Sequence, residues 1–324
     1  MKHPGSAPGC LGFRGVFFEV NRMQLSRSHY TFVGCLAPIC WGMSVPFVRL
    51  VAEHVGQPLG MMLLCGIASF ILLAIYGVPP VAKMSRKFLI CGVGMAIACE
   101  VCFCFALATS NGGAQTAEVG MVNYLWPCLT MLFACLFNGQ KAKWWIVFGF
   151  AFAVVGIMTV LSGDAGLDLA AMWQHMKENP VSYAFAVGSA VTWAAYSSIT
   201  RAMSRGANPV VLIFWCNTVF FFLLWILGVG EPAHVDGEGI TVLVIAAVVM
   251  GLAYALWTVG VMKGSMTVMA VVSYFTPVLS CVFCALFLGA DLSLNFWKGV
   301  GLVVAGSLIC WAAAFLADRV KNPA

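Results

Sequence analysis

The stretch EVGMVNYLWP, from Glu118 to Pro127, places polar and aromatic side chains inside an apolar segment. Asn123, Tyr124 and Trp126 fall within four residues of one another. Lipid offers such groups no hydrogen-bond partners, so they must pair inside the protein or line a cavity that holds something. Amide, phenol, indole and carboxyl groups around a cavity suit noncovalent binding of a flat, partly apolar molecule or of an organic cation.

A second carboxyl group, Glu100, falls inside another apolar run. It lies about 20 Å along the helix from Lys87, slightly past the midplane of a bilayer core about 30 Å thick. A carboxylate at that depth must be paired, protonated or hydrated. We therefore predict a role as proton relay, counter-ion for a substrate ammonium, or structural hydrogen-bonding group. Glu118 is predicted only as a possible secondary acid. A carboxylate that begins a helix near the surface is favoured there and is reached by water, so its position can be explained without a function.

No arrangement of residues suited to catalysis or metal binding stands out. NGGAQ (111–115) has neither the Walker lysine nor the Rossmann spacing. The cysteines of CEVCFC (99–104) and CVFC (281–284) lie in the middle of apolar runs, without His or further Cys at zinc-ligand spacing. We expect them to be small buried hydrophobes, and predict no enzyme activity, no cofactor and no metal site.

The composition indicates the class of protein. Of the 324 residues, 62% are hydrophobic and only 9% are charged, whereas a soluble domain is nearer half apolar and a quarter charged. We therefore predict an all-α polytopic membrane protein in a lipid bilayer. The net charge of +5 is small, and its distribution reflects membrane topology rather than a nucleic-acid partner.

Ten apolar runs are each long enough to cross a bilayer, which takes about 20 residues per helix. They are residues 31–51, 58–78, 87–109, 115–138, 143–162, 180–203, 209–228, 240–262, 266–289 and 294–317.

Lys and Arg are distributed unevenly among the connections. With the N-terminus in the cytoplasm, all of them except Arg49, Lys177 and Lys298 fall on the cytoplasmic side. This is the positive-inside pattern, and it predicts that both termini are cytoplasmic.

The second half of the chain repeats the first. VNYLWP (122–127) parallels VSYFTP (272–277), and CWGMSVPFVR (40–49) parallels TWAAYSSITR (192–201), at offsets of 150 and 152 residues. Because each half has five helices, an odd number, the second copy must be inverted. Inverted repeats around a central cavity are typical of alternating-access transporters. Three pairs of glycines also match at the offset of 150 residues: Gly139 with Gly289, Gly149 with Gly299, and Gly156 with Gly306.

These patterns divide the chain into five parts. We predict a disordered cytoplasmic extension (1–29), a first repeat (30–162), an external linker (163–179), a second repeat (180–318) and a cytoplasmic tail (319–324).

Pro127 and Pro277 occupy matching positions in the two repeats. Proline lacks a backbone N–H, so each one frees a carbonyl, that of Asn123 or of Ser273, and bends its helix. We predict a functional kink at both sites. The alternative is that neighbouring helices satisfy the freed groups.

Several aromatic residues lie well inside their apolar runs. Trp and Tyr usually mark the membrane interface, as Trp144 and Trp145 do. The inner residues are better suited to a substrate pocket, although simple packing remains an alternative. They include Trp41, Trp193, Tyr254, Trp257 and Tyr274.

Four stretches closely resemble the YddG-type aromatic amino acid exporters of the drug/metabolite transporter superfamily, which have two EamA-type repeats. They are EVGMVNYLWP, FNGQK (137–141), MAVVSYFTPVLS (269–280) and GSLICW (306–311). The resemblance covers about 30–318. It implies ten helices around a central cavity and export of Phe, Tyr and Trp across the bacterial inner membrane; some members also expel methyl viologen.

The resemblance also implies which residues line the cavity. Glu100 aligns with an acid common in the group, whereas Cys99 departs from it, because similar proteins often have Tyr there. The other implied residues are Trp41, Asn123, Tyr124, Trp126, Trp193, Tyr254 and Tyr274.

The sequence thus predicts an inner-membrane exporter of aromatic amino acids that works by alternating access. One alternative is export of another small metabolite or of an organic cation. Another is a non-transporting membrane scaffold or a membrane enzyme. Energy coupling and oligomeric state stay open, although a monomer is sufficient for this interpretation.

The positive-inside pattern yields a first prediction. Reporter fusions at Gly166 and Ala324 should report opposite sides of the membrane. Reporters on the same side would contradict the ten-helix, inverted-repeat interpretation.

Overall fold

The computed structural model describes residues 26–165, 167–204, 207–230 and 235–321, and within these ranges all regular structure is helical. A π-helical turn at Phe88–Val93 leads into α4, and single 3-10 turns lie at Val81–Lys83 and Gly163–Ala165. The α-helices are α1 (Arg27–Cys35), α2 (Ala37–Val55), α3 (Leu59–Tyr76), α4 (Gly94–Ala108), α5 (Gly112–Asn123), α6 (Trp126–Phe137), α7 (Ile146–Leu161), α8 (Leu169–Glu178), α9 (Pro180–Met203), α10 (Val210–Ile226), α11 (Gly237–Lys263), α12 (Met266–Ser273), α13 (Thr276–Leu288) and α14 (Leu294–Lys321).

Seven helical segments of the described residues are long and apolar enough to cross a membrane. Helices α7 and α10 are apolar but shorter, and α9 has 24 residues. The chain is therefore a multi-pass membrane protein. The seven segments are Arg27–Val55, Leu59–Tyr76, Phe88–Ala108, Gly112–Phe137, Gly237–Val261, Val268–Leu288 and Leu294–Ala317.

The predicted boundaries differ from the helices at three places. Helix α1 begins at Arg27, inside the predicted extension, and α14 continues to Lys321, inside the predicted tail. The predicted linker 163–179 contains a helix, α8, because Asp168 accepts hydrogen bonds from the amides of Ala170 and Ala171 and caps its first turn. Residues 1–25, Gly166 and 322–324, which belong to the predicted extension, linker and tail, lie outside the described residues.

The two predicted kinks are breaks between helices. Helix α5 ends at Asn123 and α6 begins at Trp126; helix α12 ends at Ser273 and α13 begins at Thr276. Pro127 and Pro277 therefore lie in the first turn of a new helix, where a missing N–H costs no intrahelical hydrogen bond. The carbonyl of Ser273 accepts a hydrogen bond from the Thr276 hydroxyl at 2.7 Å.

The most extensive helix contact joins α7 of the first half to α14 of the second. A Cβ on Gly306 would lie 2.5 Å from backbone atoms of Ala153 and Gly149, and a Cβ on Gly156 would lie 2.7 Å from the carbonyl oxygen of Gly299. Glycine is required at these positions because the two backbones touch. Gly149 faces Gly306 while Gly156 faces Gly299, so α7 and α14 run antiparallel.

Other large contacts also join the two halves of the chain. Helix α4 packs on α9, α2 packs on α11, and α3 packs on α10. The halves therefore interlock along most of their length, and a cavity between them takes its walls from both.

The glycine contact generates a stability prediction. Gly306→Ala should lower the thermal unfolding midpoint in detergent, because the added methyl must separate two backbones. Gly301→Ala is the matched control: it lies on the same helix, gains a similar helix propensity of about 1 kcal/mol, and its Cβ would meet open space. Equal midpoints for the two variants would show that the close approach contributes nothing.

Candidate functional site

A cavity of about 230 Å³ lies among helices of both halves of the chain. Its wall combines rings, hydroxyl groups, one amide and one carboxyl group. The residues that line it are Trp41, Ser44, Cys99, Glu100, Phe103, Asn123, Tyr124, Trp126, Ser189, Trp193, Ser197, Met250, Tyr254, Trp257 and Thr276.

The cavity rings form two groups. In the first, Trp41 from α2 packs edge-on against Tyr254 of α11, with ring centroids 5.7 Å apart, and lies 5.0 Å from Trp257. In the second, Trp126 at the start of α6 meets Trp193 of α9 edge-on at 6.1 Å. These rings line the cavity and can contact a ligand there.

Glu100 brings a carboxyl group to this wall. The residue is only 8% exposed, and the Tyr254 hydroxyl donates a hydrogen bond of 2.6 Å to its Oε1. The bond links α4 of the first half to α11 of the second. A carboxylate can accept about four hydrogen bonds, so this bond uses only part of its capacity.

Three wall hydroxyls donate to their own chain segments. Ser44 donates to the carbonyl of Trp41, Ser197 to that of Trp193 and Thr276 to that of Ser273, at 2.7–2.8 Å. Each hydroxyl has one hydrogen, so each presents only lone pairs to the cavity.

The structure brings together Trp41, Glu100, Asn123, Tyr124, Trp126, Trp193 and Tyr254, all of which were predicted from the sequence. Tyr274, predicted beside them, is buried elsewhere and does not line the cavity. The two helix breaks match in sequence but contribute differently: the first supplies Asn123, Tyr124 and Trp126, and the second supplies Thr276.

Sequence reasoning missed most of the small polar wall residues. Ser189, Trp193 and Ser197 are spaced four apart on one face of α9, and Met250 lies four residues before Tyr254 on α11. Helical periodicity counted from the predicted aromatic residues would have found them. Ser44, Phe103 and Thr276 also escaped prediction.

Glu118 lies outside this cavity. It is 7% exposed and well beyond the first turn of α5, so the expectation that it begins a helix at the surface is wrong. The Tyr183 hydroxyl of α9 donates to its Oε2 at 2.6 Å. Gln115 lies 3.5 Å from the same hydroxyl and also accepts a hydrogen bond from Asn179. This network ties α5 to α9.

His175 of α8 extends the network. Its Nδ1 lies 3.1 Å from the Leu161 carbonyl oxygen, which can only accept, so Nδ1 carries the hydrogen. Its Nε2 lies 3.7 Å from Oε2 of Glu118. Beside this network, Glu118, Asp164 and Asp291 line a second cavity of about 130 Å³.

No group of three or more His, Cys, Asp or Glu residues that could hold a metal ion lies together in the described part of the chain. Cys99 contacts the Ser189 hydroxyl at 3.3 Å.

Known proteins resemble this chain over most of its length. The model of the EamA-like transporter family matches residues 30–162 and 181–312. The aromatic amino acid exporter YddG of Escherichia coli (strain K12) is 37% identical over 290 residues, which are 89% of this chain and 99% of that protein. The YddG of Salmonella typhimurium (strain 14028s / SGSC 2262) is 38% identical over 284 residues, covering 87% and 97%.

A solved structure shares the fold. A crystal structure of a protein with 24% sequence identity superposes with a TM-score of 0.62, over 92% of this chain and 100% of that one.

The network around Glu118 generates a prediction about stability. Tyr183→Phe should lower the free energy of unfolding by about 1–3 kcal/mol, because Glu118 loses its buried donor. Glu118→Gln should be nearly silent, because the amide oxygen can take the position of Oε2 and still accept from Tyr183.

Thermal unfolding in detergent measures both changes. A Glu118→Gln variant that unfolds as early as Tyr183→Phe would show that the charge of Glu118, rather than its hydrogen bond, stabilises this contact.

Proposed function

Because the chain belongs to the EamA-like transporter family, we propose that it exports aromatic amino acids (Phe, Tyr and Trp) across the bacterial inner membrane by alternating access. The two YddG relatives named above are aromatic amino acid exporters by name, and each is covered almost completely. The central cavity is the proposed binding site.

One observation carries the proposal: an aromatic-walled cavity with a buried carboxyl group lies between the two halves of the chain. Trp126 and Trp193 can pack against a substrate ring. Glu100, beside the rings of Tyr254 and Trp41, can accept hydrogen bonds from a substrate ammonium. Asn123 and Tyr124 are the polar groups nearest in sequence to Trp126. Rings from both halves of the chain would then contact the same substrate molecule.

The contact pattern supports ten spans arranged as two inverted repeats. Gly149 and Gly156 match Gly299 and Gly306 in sequence, and in the fold Gly149 faces Gly306 while Gly156 faces Gly299. This reciprocity is expected when a two-fold axis in the membrane plane relates the repeats. The antiparallel course of α7 and α14 agrees with it.

Other helix contacts show the same reciprocal pattern between the two repeats. The third span of the first repeat, α4, packs on the first span of the second, α9; correspondingly, α11 packs on α2. Gly139 and Gly289 also match: both have a left-handed φ, of 61° and 60°, just after the ends of α6 and α13. Both termini are placed in the cytoplasm on the positive-inside pattern.

Efflux of labelled Phe from proteoliposomes that contain the purified protein tests this proposal. Phe should leave these vesicles much faster than it leaves protein-free vesicles. Equal rates would reject aromatic amino acid transport and leave a scaffold or another substrate.

The position of Trp126 generates a prediction about binding. Trp126→Ala should weaken Phe binding about tenfold, which corresponds to about 1.4 kcal/mol of lost ring contact. Calorimetric titration of the purified protein measures it.

Trp225→Ala is the matched control, because Trp225 is 44% exposed on α10 and does not line the cavity. It should bind Phe as the unmodified protein does. If Trp126→Ala also binds Phe normally, its ring is only packing and the proposed site is wrong.

A further inference from the structure

The described residues of the cavity wall include an acidic side chain but no basic one. Among the described residues that line the cavity, Glu100 is the one acidic residue and none is Lys, Arg or His. Tyr and Cys side chains are neutral near pH 7 in their ordinary state. An amino acid entering this cavity finds a carboxyl group for its ammonium and, among the described lining residues, no cationic side chain for its carboxylate. A buried charge without a partner is costly.

Three hydroxyl groups of the wall add acceptors, and its N–H donors, the indoles of four Trp residues and the amide of Asn123, are uncharged. The hydroxyls of Ser44, Ser197 and Thr276 direct their hydrogens to backbone carbonyls. Lone pairs of this kind suit an ammonium group, which has three N–H donors and no acceptor.

The helix starts beside the cavity offer few N–H groups to a carboxylate. A half-helix N-terminus often holds an anion in a transporter. Here Pro127 and Pro277 remove one N–H from the first turns of α6 and α13. The amides of Leu129 and Leu279 already donate to the carbonyls of Leu125 and Phe275.

The surroundings of Glu100 also suit a cation. The Tyr254 ring that holds the carboxyl group packs against Trp41, and Trp41 packs against Trp257. A cation beside the carboxyl group would therefore lie near aromatic faces, which attract positive charge.

From this we infer that the protein also transports aromatic monoamines, the arylethylammonium ions that lack the carboxylate of the amino acids, and binds them more tightly than the corresponding amino acids. Phenethylamine, tyramine and tryptamine are members of this class. They keep the ring and the ammonium that the wall accommodates and omit the anion that lacks a partner. The inference rests on the proposed function, because it assigns the amines to the same cavity.

The test compares phenethylamine with Phe, two ligands that differ only by the carboxylate. Calorimetric titration of the purified full chain at about pH 7.5, where an alkyl amine is still protonated, gives the two affinities. Labelled phenethylamine flux into proteoliposomes, corrected for protein-free vesicles, measures transport. We expect amine flux above that background and a Kd about tenfold or more below that of Phe.

Variants separate charge from shape. Glu100→Gln keeps the volume and removes the charge, so it should weaken phenethylamine about tenfold and Phe by a smaller factor, because the zwitterion has no net charge. Glu238→Gln, at the exposed start of α11, is the control and should change neither affinity. 2-Phenylethanol, which has the ring but no ammonium, should bind more weakly than the amine.

Each failure has its own meaning. If Phe binds and moves while phenethylamine binds more weakly, or binds without moving, the inference is overturned and the proposed function stands. If neither ligand binds or moves, the proposed function fails together with the inference. Equal losses for both ligands in Glu100→Gln would also overturn it, since the carboxylate would then not select the cation.

Discussion

Polar groups inside a hydrocarbon layer must find their partners within the protein, and the rest of this structure follows from that constraint. It explains why all regular structure of the described residues is helical and why hydroxyls such as those of Ser44 and Ser197 bond to nearby carbonyls. It also restricts buried carboxyl groups to places with a donor. Glu100 has Tyr254, and Glu118 has Tyr183. In both cases the donor belongs to the opposite half of the chain.

Those two hydrogen bonds also join the two halves of the chain. Each joins a helix of the first half to a helix of the second, and neither buried carboxyl group can keep its partner if the halves separate at that level. The glycine contact between α7 and α14 is different, because it packs backbone against backbone without polar side chains. We therefore expect the α7–α14 contact to persist during transport, while the contacts around the cavity rearrange.

The sequence was most informative where a physical rule applies to a whole segment of the chain. The length of the apolar runs predicted a multi-pass helical membrane protein. Polar or aromatic residues in the middle of a run predicted several residues that line the cavity, including Trp126 and Glu100. The match between Tyr124 and Tyr274 was misleading about the wall, because equal positions in a repeat need not face the same space. Helix α8 was not predicted, because it is short and lies between the long apolar runs; Asp168 caps its first turn.

Other features depend on three-dimensional contacts that no local pattern reveals. Nothing in the sequence around Glu118 indicates that Tyr183, 65 residues away, donates to it. The direction of the Thr276 hydroxyl, which decides what the wall offers a ligand, follows from the break before α13 rather than from residue type. The breaks themselves were expected as kinks, since proline alone does not distinguish a bent helix from two successive helices.

The central claim is that one cavity between the two halves carries an aromatic amino acid from one side of the membrane to the other. Counterflow tests it most directly, because a carrier exchanges substrates whereas a pore does not. Proteoliposomes loaded with unlabelled Phe are diluted into a trace of labelled Phe. The account predicts that labelled Phe transiently accumulates above its equilibrium level inside the vesicles. A simple rise to equilibrium, or no entry at all, would contradict it.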